Sequence, residues 1–139
     1  MAVFTLTDAF ISINGVTLSD HGNHVTVEDM REEKDATAFG ASNKVTAKGL
    51  GDGTITIGFF QDFAAAKVHA TLQPLISSVT PFTVEVRATS AARSATNPGI
   101  VMSALLFTYS PLDGDVGEMS TMQAIFRNAS QAGITYPTS

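Results

Sequence analysis

The strand-like alternation of this 139-residue chain breaks once, over residues 59–76 (FFQDFAAAKVHATLQPLI), and that break limits the architectures open to it. Ala64-Ala65-Ala66 opens a run of good helix formers, and Phe63, Val68, Leu72, Leu75 and Ile76 fall mostly three or four residues apart. Asp62 is placed to cap the run, its carboxylate accepting free amides of a first turn. Pro74 limits its length, because proline lacks the amide hydrogen and crowds the preceding turn. The pattern predicts a single helix over about residues 63–74, with Val68, Leu72 and Leu75 as its packing stripe. So short an amphipathic helix is unstable alone and must lie on something.

The remainder reads as the sheets it lies on. Residues 8–14 alternate, and Asn14-Gly15 is a tight-hairpin signal followed by a short return at Val16–Leu18. His24–Met30 alternates again, with Val25 and Val27 on one face. Thr54–Phe60 is a strand leading straight into the helix. Phe82–Ala88 puts Phe82, Val84 and Val86 inward and Thr83, Glu85 and Arg87 outward, the pattern of a sheet with one wet face. Ile100–Tyr109 is apolar on both parities, so it should be covered on both sides, by the helix or by another subunit. Glu118–Arg127 reads as the last strand, and residues 128–139 as a loosely held tail.

Between Arg31 and Gly53 the alternation dissolves into charges, small residues and four glycines. A connection this long inside a small domain is uncommon, and is usually functional or disordered. Phe39, Val45 and Leu50 are its bulky apolar groups, and they are expected to contact a surface outside their own core. The fold class expected is all-β, a sandwich or barrel, with one flanking helix and a long glycine-rich loop, in one domain over residues 1–139.

Composition narrows the functions. With no cysteine there are no disulfides, thiol nucleophiles or cysteine–zinc sites. A net charge of −5 without a basic stripe argues against a protein that grips nucleic acid. No apolar run is long enough to span a bilayer, and the N-terminus shows no secretory signal. No convincing active site emerges. His21 and His24 lie on an irregular turn without a third ligand, and His69 sits beside the helix stripe. Gly49, Gly51 and Gly53 lack the Lys-Ser/Thr and helix start of a phosphate cradle. Glu32, Glu33 and Asp35 alternate with Arg31 and Lys34 as a self-neutralising patch rather than a catalytic pair. Asp113-Gly114-Asp115 lacks the rest of a calcium loop, and Asn128-Ala129-Ser130 matters as a glycosylation acceptor only in a secreted chain. No enzyme and no cofactor are therefore expected.

The order of features supplies the remaining clue. Ala9–Gly15, Gln61–Leu75, Phe82–Arg87, Ser94–Pro98 and Ser110–Glu118 together resemble the tail tube (major tail) proteins of long-tailed bacteriophages, over roughly Thr5–Phe126. That resemblance implies a β-sandwich with a flanking helix, six copies closing into a ring through their inner sheets, and rings stacked into a hollow tube around the DNA path. It implies a long loop bridging to neighbours, partners among the tape measure, tip and terminator proteins, and residence in the virion tail after synthesis in the host cytoplasm. DNA would pass through the lumen without specific binding, and Glu85 and Glu118 are the carboxylates expected to face it. Rival readings are another virion β-protein, such as a head decoration or tail terminator subunit, and a monomeric ligand-binding β-domain.

Overall fold

The computed structural model describes residues 3–139. Seven strands run in chain order: β1 (Phe10–Ile13), β2 (Val16–Thr17), β3 (Gly22–Asp35), β4 (Thr46–Phe60), β5 (Phe82–Arg87), β6 (Ile100–Tyr109) and β7 (Thr121–Asn128), with one helix, α1 (Val68–Ile76), between β4 and β5. They form one antiparallel sheet in the order β2-β1-β5-β6-β7-β4-β3. The sandwich-or-barrel expectation thus resolves into a single sheet with one flanking helix.

Asn14 and Gly15, both at positive φ, make the two-residue turn between β1 and β2, where only small or glycine residues sit without strain. A single 3₁₀ turn, Ser19–His21, then carries the chain from β2 to β3. There the two edges of the sheet nearly meet. The Ile11 amide donates to Ser19 Oγ at 2.8 Å, and a Cβ on Gly22 would lie 2.5 Å from Ile11 Cδ1. Glycine at 22 lets β3 start against β1, so the sheet curls round one core.

Inward residues follow period two: Ile55, Ile57 and Phe59 on β4, Phe82, Val84 and Val86 on β5, Met102, Ala104 and Leu106 on β6, and Met122, Ala124 and Phe126 on β7. Val68, Leu72 and Leu75 of α1 are buried in the same cluster. Phe82 and Phe126 meet edge to face across it, 5.9 Å between centroids.

Four expectations need correction. The helix begins at Val68, not at 63: Asp62 Oδ1 accepts the Ala64 amide, Lys67 N bonds Ala64 O, and Ala66 takes φ +60, so the alanines form a turn ahead of it. Pro74 lies inside the helix rather than ending it. Residues 31–53 are not one loop, since 31–35 and 46–53 are strand and only 36–45 connects them. The tail from Asn128 is held rather than loose. β7 leaves β6 at Asn128, and the tail takes its place on that edge: Val101 and Thr135 exchange two backbone bonds of 2.9 Å, and Gly99 N bonds Pro137 O at 2.8 Å.

β6 also contains a bulge. Leu106 pairs with Phe126 but Thr108 pairs with Ile125, leaving Phe107 extra and solvent-facing. The extra residue reverses parity, so Tyr109 turns to the core side opposite buried Ala124. Its hydroxyl lies 2.6 Å from His69 Nδ1 of α1 and accepts Gln61 Nε2 at 3.1 Å, tying the helix to β6.

Candidate functional site

β3 and β4 are far longer than the sheet that holds them. The last β4–β7 pair is Thr54 with Arg127, while the β3–β4 pairing runs on to Asp35 with Thr46. Residues 46–53 of β4 therefore project with β3 as a two-stranded arm, roughly 25 Å long at about 3.3 Å per residue. A shift in register between Arg31 and Glu33 puts an extra residue on β4 near Leu50, which twists the arm. Ala36 N to Val45 O at 2.8 Å and Val45 N to Thr37 Oγ1 at 2.8 Å close its end, and Phe39-Gly40 forms the tip with Gly40 at φ +87. At the base, Tyr136 of the tail donates to Asp29 at 2.7 Å.

Of the three bulky apolar groups in this region, Phe39 and Leu50 are uncovered by their own subunit and Val45 is half covered. Phe39 is fully exposed, Leu50 is 80% exposed and Val45 51%. Glu32 and Lys34 form an ion pair along the arm, which leaves the charge there locally balanced. Among the described residues both long edges of the arm are unpaired, and exposed edges of this kind join other chains unless something blocks them.

At the opposite end of the sheet lies the β6–β7 connection, residues 110–120, and Glu118 is here rather than on the last strand, which starts at Thr121. Leu112, Val116 and Met119 on this connection are all exposed, Val116 completely. Glu85 is mid-strand on β5 and is not a free carboxylate. Arg93 grips it with Nε at 2.9 Å and Nη2 at 2.7 Å, and Arg87 Nε stands 3.6 Å away. The Arg93 fork holds the Glu85 carboxyl below its usual range, and Glu85 in turn raises Arg93. Arg87 also stacks on Phe10 at 3.9 Å. The structure thus does not bring Glu85 and Glu118 together.

Two groups were not legible as partners in sequence. His21 sits between two carboxylates, Nδ1 2.8 Å from Asp20 and Nε2 2.8 Å from Asp62, residues far apart along the chain. Asp20 chiefly, and Asp62 with it, push the His21 pKa up, so it is held as an imidazolium with both nitrogens occupied. Such a histidine clamps; it has no free nitrogen to act as a base. Asn97, buried in the β5–β6 connection, donates to the carbonyls of Ala91 and Ala92 and accepts from the Thr89 amide. Asn-Pro in SATNPG signals a turn but not that its side chain organises the loop. An open cleft of about 350 Å³ lies between the N-terminal segment and β3, beside Asp8, Asp20 and His24. His24 bonds only Thr26 there, and among the described residues no His, Asp and Glu groups are grouped to hold a metal ion.

No family model and no curated protein matches the chain. Its fold, however, is one seen in gene transfer agent particles and in a phage protein. A chain from the tail of an empty gene transfer agent particle, refined helically with C6 symmetry, is similar at TM-score 0.68 and 8% identity over 92% of each chain. A chain from the native gene transfer agent virion is similar at TM-score 0.70 and 8% identity, covering 93% of this chain and 95% of that one. The SPP1 Dit protein (gp 19.1), a hub of the adsorption apparatus in phages infecting Gram-positive hosts, is similar at TM-score 0.50 and 12% identity. That match covers 90% of this chain, which spans about half (51%) of Dit. At these identities the likeness is one of fold.

Proposed function

We propose that this chain is a structural subunit of a phage-type tail, and that its copies close into six-membered rings which stack into the tube through which DNA passes. The observation that carries the reading is the near end-to-end likeness to a chain of a C6-symmetric gene transfer agent tail, 92% of each chain. The surfaces agree with it. The subunit keeps its core to itself yet extends a long arm on which Phe39 and Leu50 have no cover, as a heterologous contact requires. A tube should let DNA slide, and a chain of net charge −5, with Glu85 already neutralised and no basic stripe, offers phosphates little to hold. Other tail proteins, a tape measure, tip and terminator, are the further partners, and the virion tail is the proposed location.

Negative-stain microscopy of concentrated purified protein tests the proposal. Tubes, or stacks of six-fold rings, are expected. Monomers alone at every concentration, with tail-initiating partners also present, would overturn it. The likeness to the SPP1 hub protein favours one second reading, a ring-former at the tail end, and isolated rings that never stack would select it.

A further inference from the structure

We infer that residues 134–137 are a latch on the arm: this C-terminal segment fixes the arm's direction, and opening it frees the arm as a unit while the sheet stays folded. The place of contact carries the argument. Thr54 is the last residue of β4 that β7 holds, so Asp29 paired with Gly53 is the first rung of the arm without a third strand. Both contacts of the segment fall on that one rung. Ile134 fills the space that a Cβ on Gly53 would need, its Cγ1 2.9 Å from that position, and Tyr136 donates its hydroxyl to Asp29 at 2.7 Å. Asp29 follows Val25 and Val27 at period two, and Gly53 precedes Ile55 and Ile57 in the same way. The rung therefore faces the core side, where Ile134 packs against the buried cluster.

The way the segment is held makes it a latch rather than another strand of the arm. Asn128 Nδ2 donates to Ser130 O at 2.7 Å and Gly133 takes φ +66, which turns the chain back after β7. The backbone then bonds β6 through Thr135 with Val101 and Pro137 with Gly99, and Arg93 Nη1 donates to Ser139 O at 3.2 Å. Among the described residues no backbone bond joins this segment to β3 or β4. It is anchored on the sheet by its main chain and grips the arm by two side chains alone. Such a grip can open without breaking any bond of the sheet ladder. The two side chains contribute differently. Ile134 covers bare glycine backbone with apolar area, and Tyr136 adds a short bond to a carboxylate, which raises its hydroxyl above the ordinary pKa. Beyond the rung the arm has only its own two strands, and a lone two-stranded hairpin is marginal in water. What holds its base therefore decides where it points.

Pulsed EPR distances in the dilute, unassembled subunit test this, and the absence of cysteine leaves every label where it is placed. A nitroxide pair on Ser42→Cys near the arm's tip and Gln123→Cys on β7 reads the arm. A second pair, on Thr83→Cys and Gln123→Cys, reads the sheet; all three positions are exposed. With the latch intact both distances should be narrow. Ile134→Ala with Tyr136→Phe should make the arm distance lose its single narrow peak and leave the sheet distance unchanged. Tyr136→Phe alone, which deletes one hydroxyl and keeps Ile134 seated, should give part of that spread, and it decides the matter if the double variant does not fold. An arm distance that stays narrow in the opened variants, or that is already broad with the latch intact, would overturn the inference. So would a sheet distance that broadens together with the arm, since the segment would then be part of the core rather than a latch. None of these outcomes depends on whether copies assemble.

Discussion

β4 is one continuous strand with two different surroundings, and its halves show what holds this molecule together. Ile55, Ile57 and Phe59 are wholly buried, paired on both sides by β3 and β7 and covered by the core. Thr46–Gly53 has only β3 for a partner and buries nothing bulky. Backbone pairing is continuous through both, so hydrogen bonds alone do not distinguish them. Burial does: transfer of apolar area from water gives the inner half its stability, and the outer half has almost none to transfer. A region of few apolar contacts and exposed hydrogen bonds sits at the low-stability end of a protein, where binding segments are found.

The largest effect expected from this contrast is in matched truncations of the same strand. Phe59→Ala should cost the subunit about 3–5 kcal/mol, as removal of a buried aromatic does. Leu50→Ala should change it by no more than about 0.5 kcal/mol, as for other exposed sites. Urea unfolding of the unassembled subunit measures both, and comparable losses would erase the distinction. Leu72→Ala extends the test to the helix, which faces the inner half of the sheet. About 2–5 kcal/mol should be lost, and an unchanged melting temperature would mean that α1 lies free.

A smaller loss, about 1 kcal/mol, is expected for Tyr109→Phe, which keeps the ring but removes the hydroxyl shared by His69 and Gln61. Thermal melting of that variant checks whether the β6 bulge serves to anchor the helix. Amide exchange draws the contrast within one chain. Amides of 46–53 should exchange much faster than those of 55–59 in the free subunit and slow on assembly, and equally slow exchange in both states would show an arm already stable by itself.

The same contrast explains what could be read from sequence. Period-two alternation is visible where one face meets the core, as in Phe82–Arg87, while Ile100–Tyr109 shows as a strand through a continuous apolar run, and both fall where the sequence put them. The arm was invisible because both of its faces are wet, so its strands carry no alternation to detect. The tail reads as loose for a related reason: its hold on β6 is backbone bonding through Val101 and Thr135, which leaves no mark on residue choice. The alanines before the helix misled in the other direction. Their propensity favours helix, but the Asp62 carboxylate and the left-handed Ala66 commit that segment to a turn. His21 had no visible partner because Asp62 is brought to it only by the fold.

That histidine supports the smallest and most specific prediction. The inner end of β4 runs directly into Asp62, which His21 ties to the β2–β3 turn, whereas among the described residues no histidine clamp locks the outer end. His21 is raised above its ordinary 6.5, so its stabilisation is complete below that value and is lost as pH rises through the raised one. Asp62, lowered mainly by the Ala64 amide and then by His21, and Asp20, lowered mainly by His21, act oppositely. Their contribution is present above their ordinary 3.8 and is lost as pH falls through the lowered values. The clamp is therefore at full strength between about pH 4 and 6.5, and weakens on the alkaline side when the imidazolium gives up its proton. His21→Gln, which can bond but cannot carry the charge, should flatten the fall in melting temperature between pH 6.5 and 9. Exchange from arm amides 46–53 should be no more protected in wild type than in the variant once the intrinsic pH effect is removed. A wild-type melting temperature that is level across that range, or the same slope in both proteins, would show that the clamp holds through geometry alone and that its charge adds nothing.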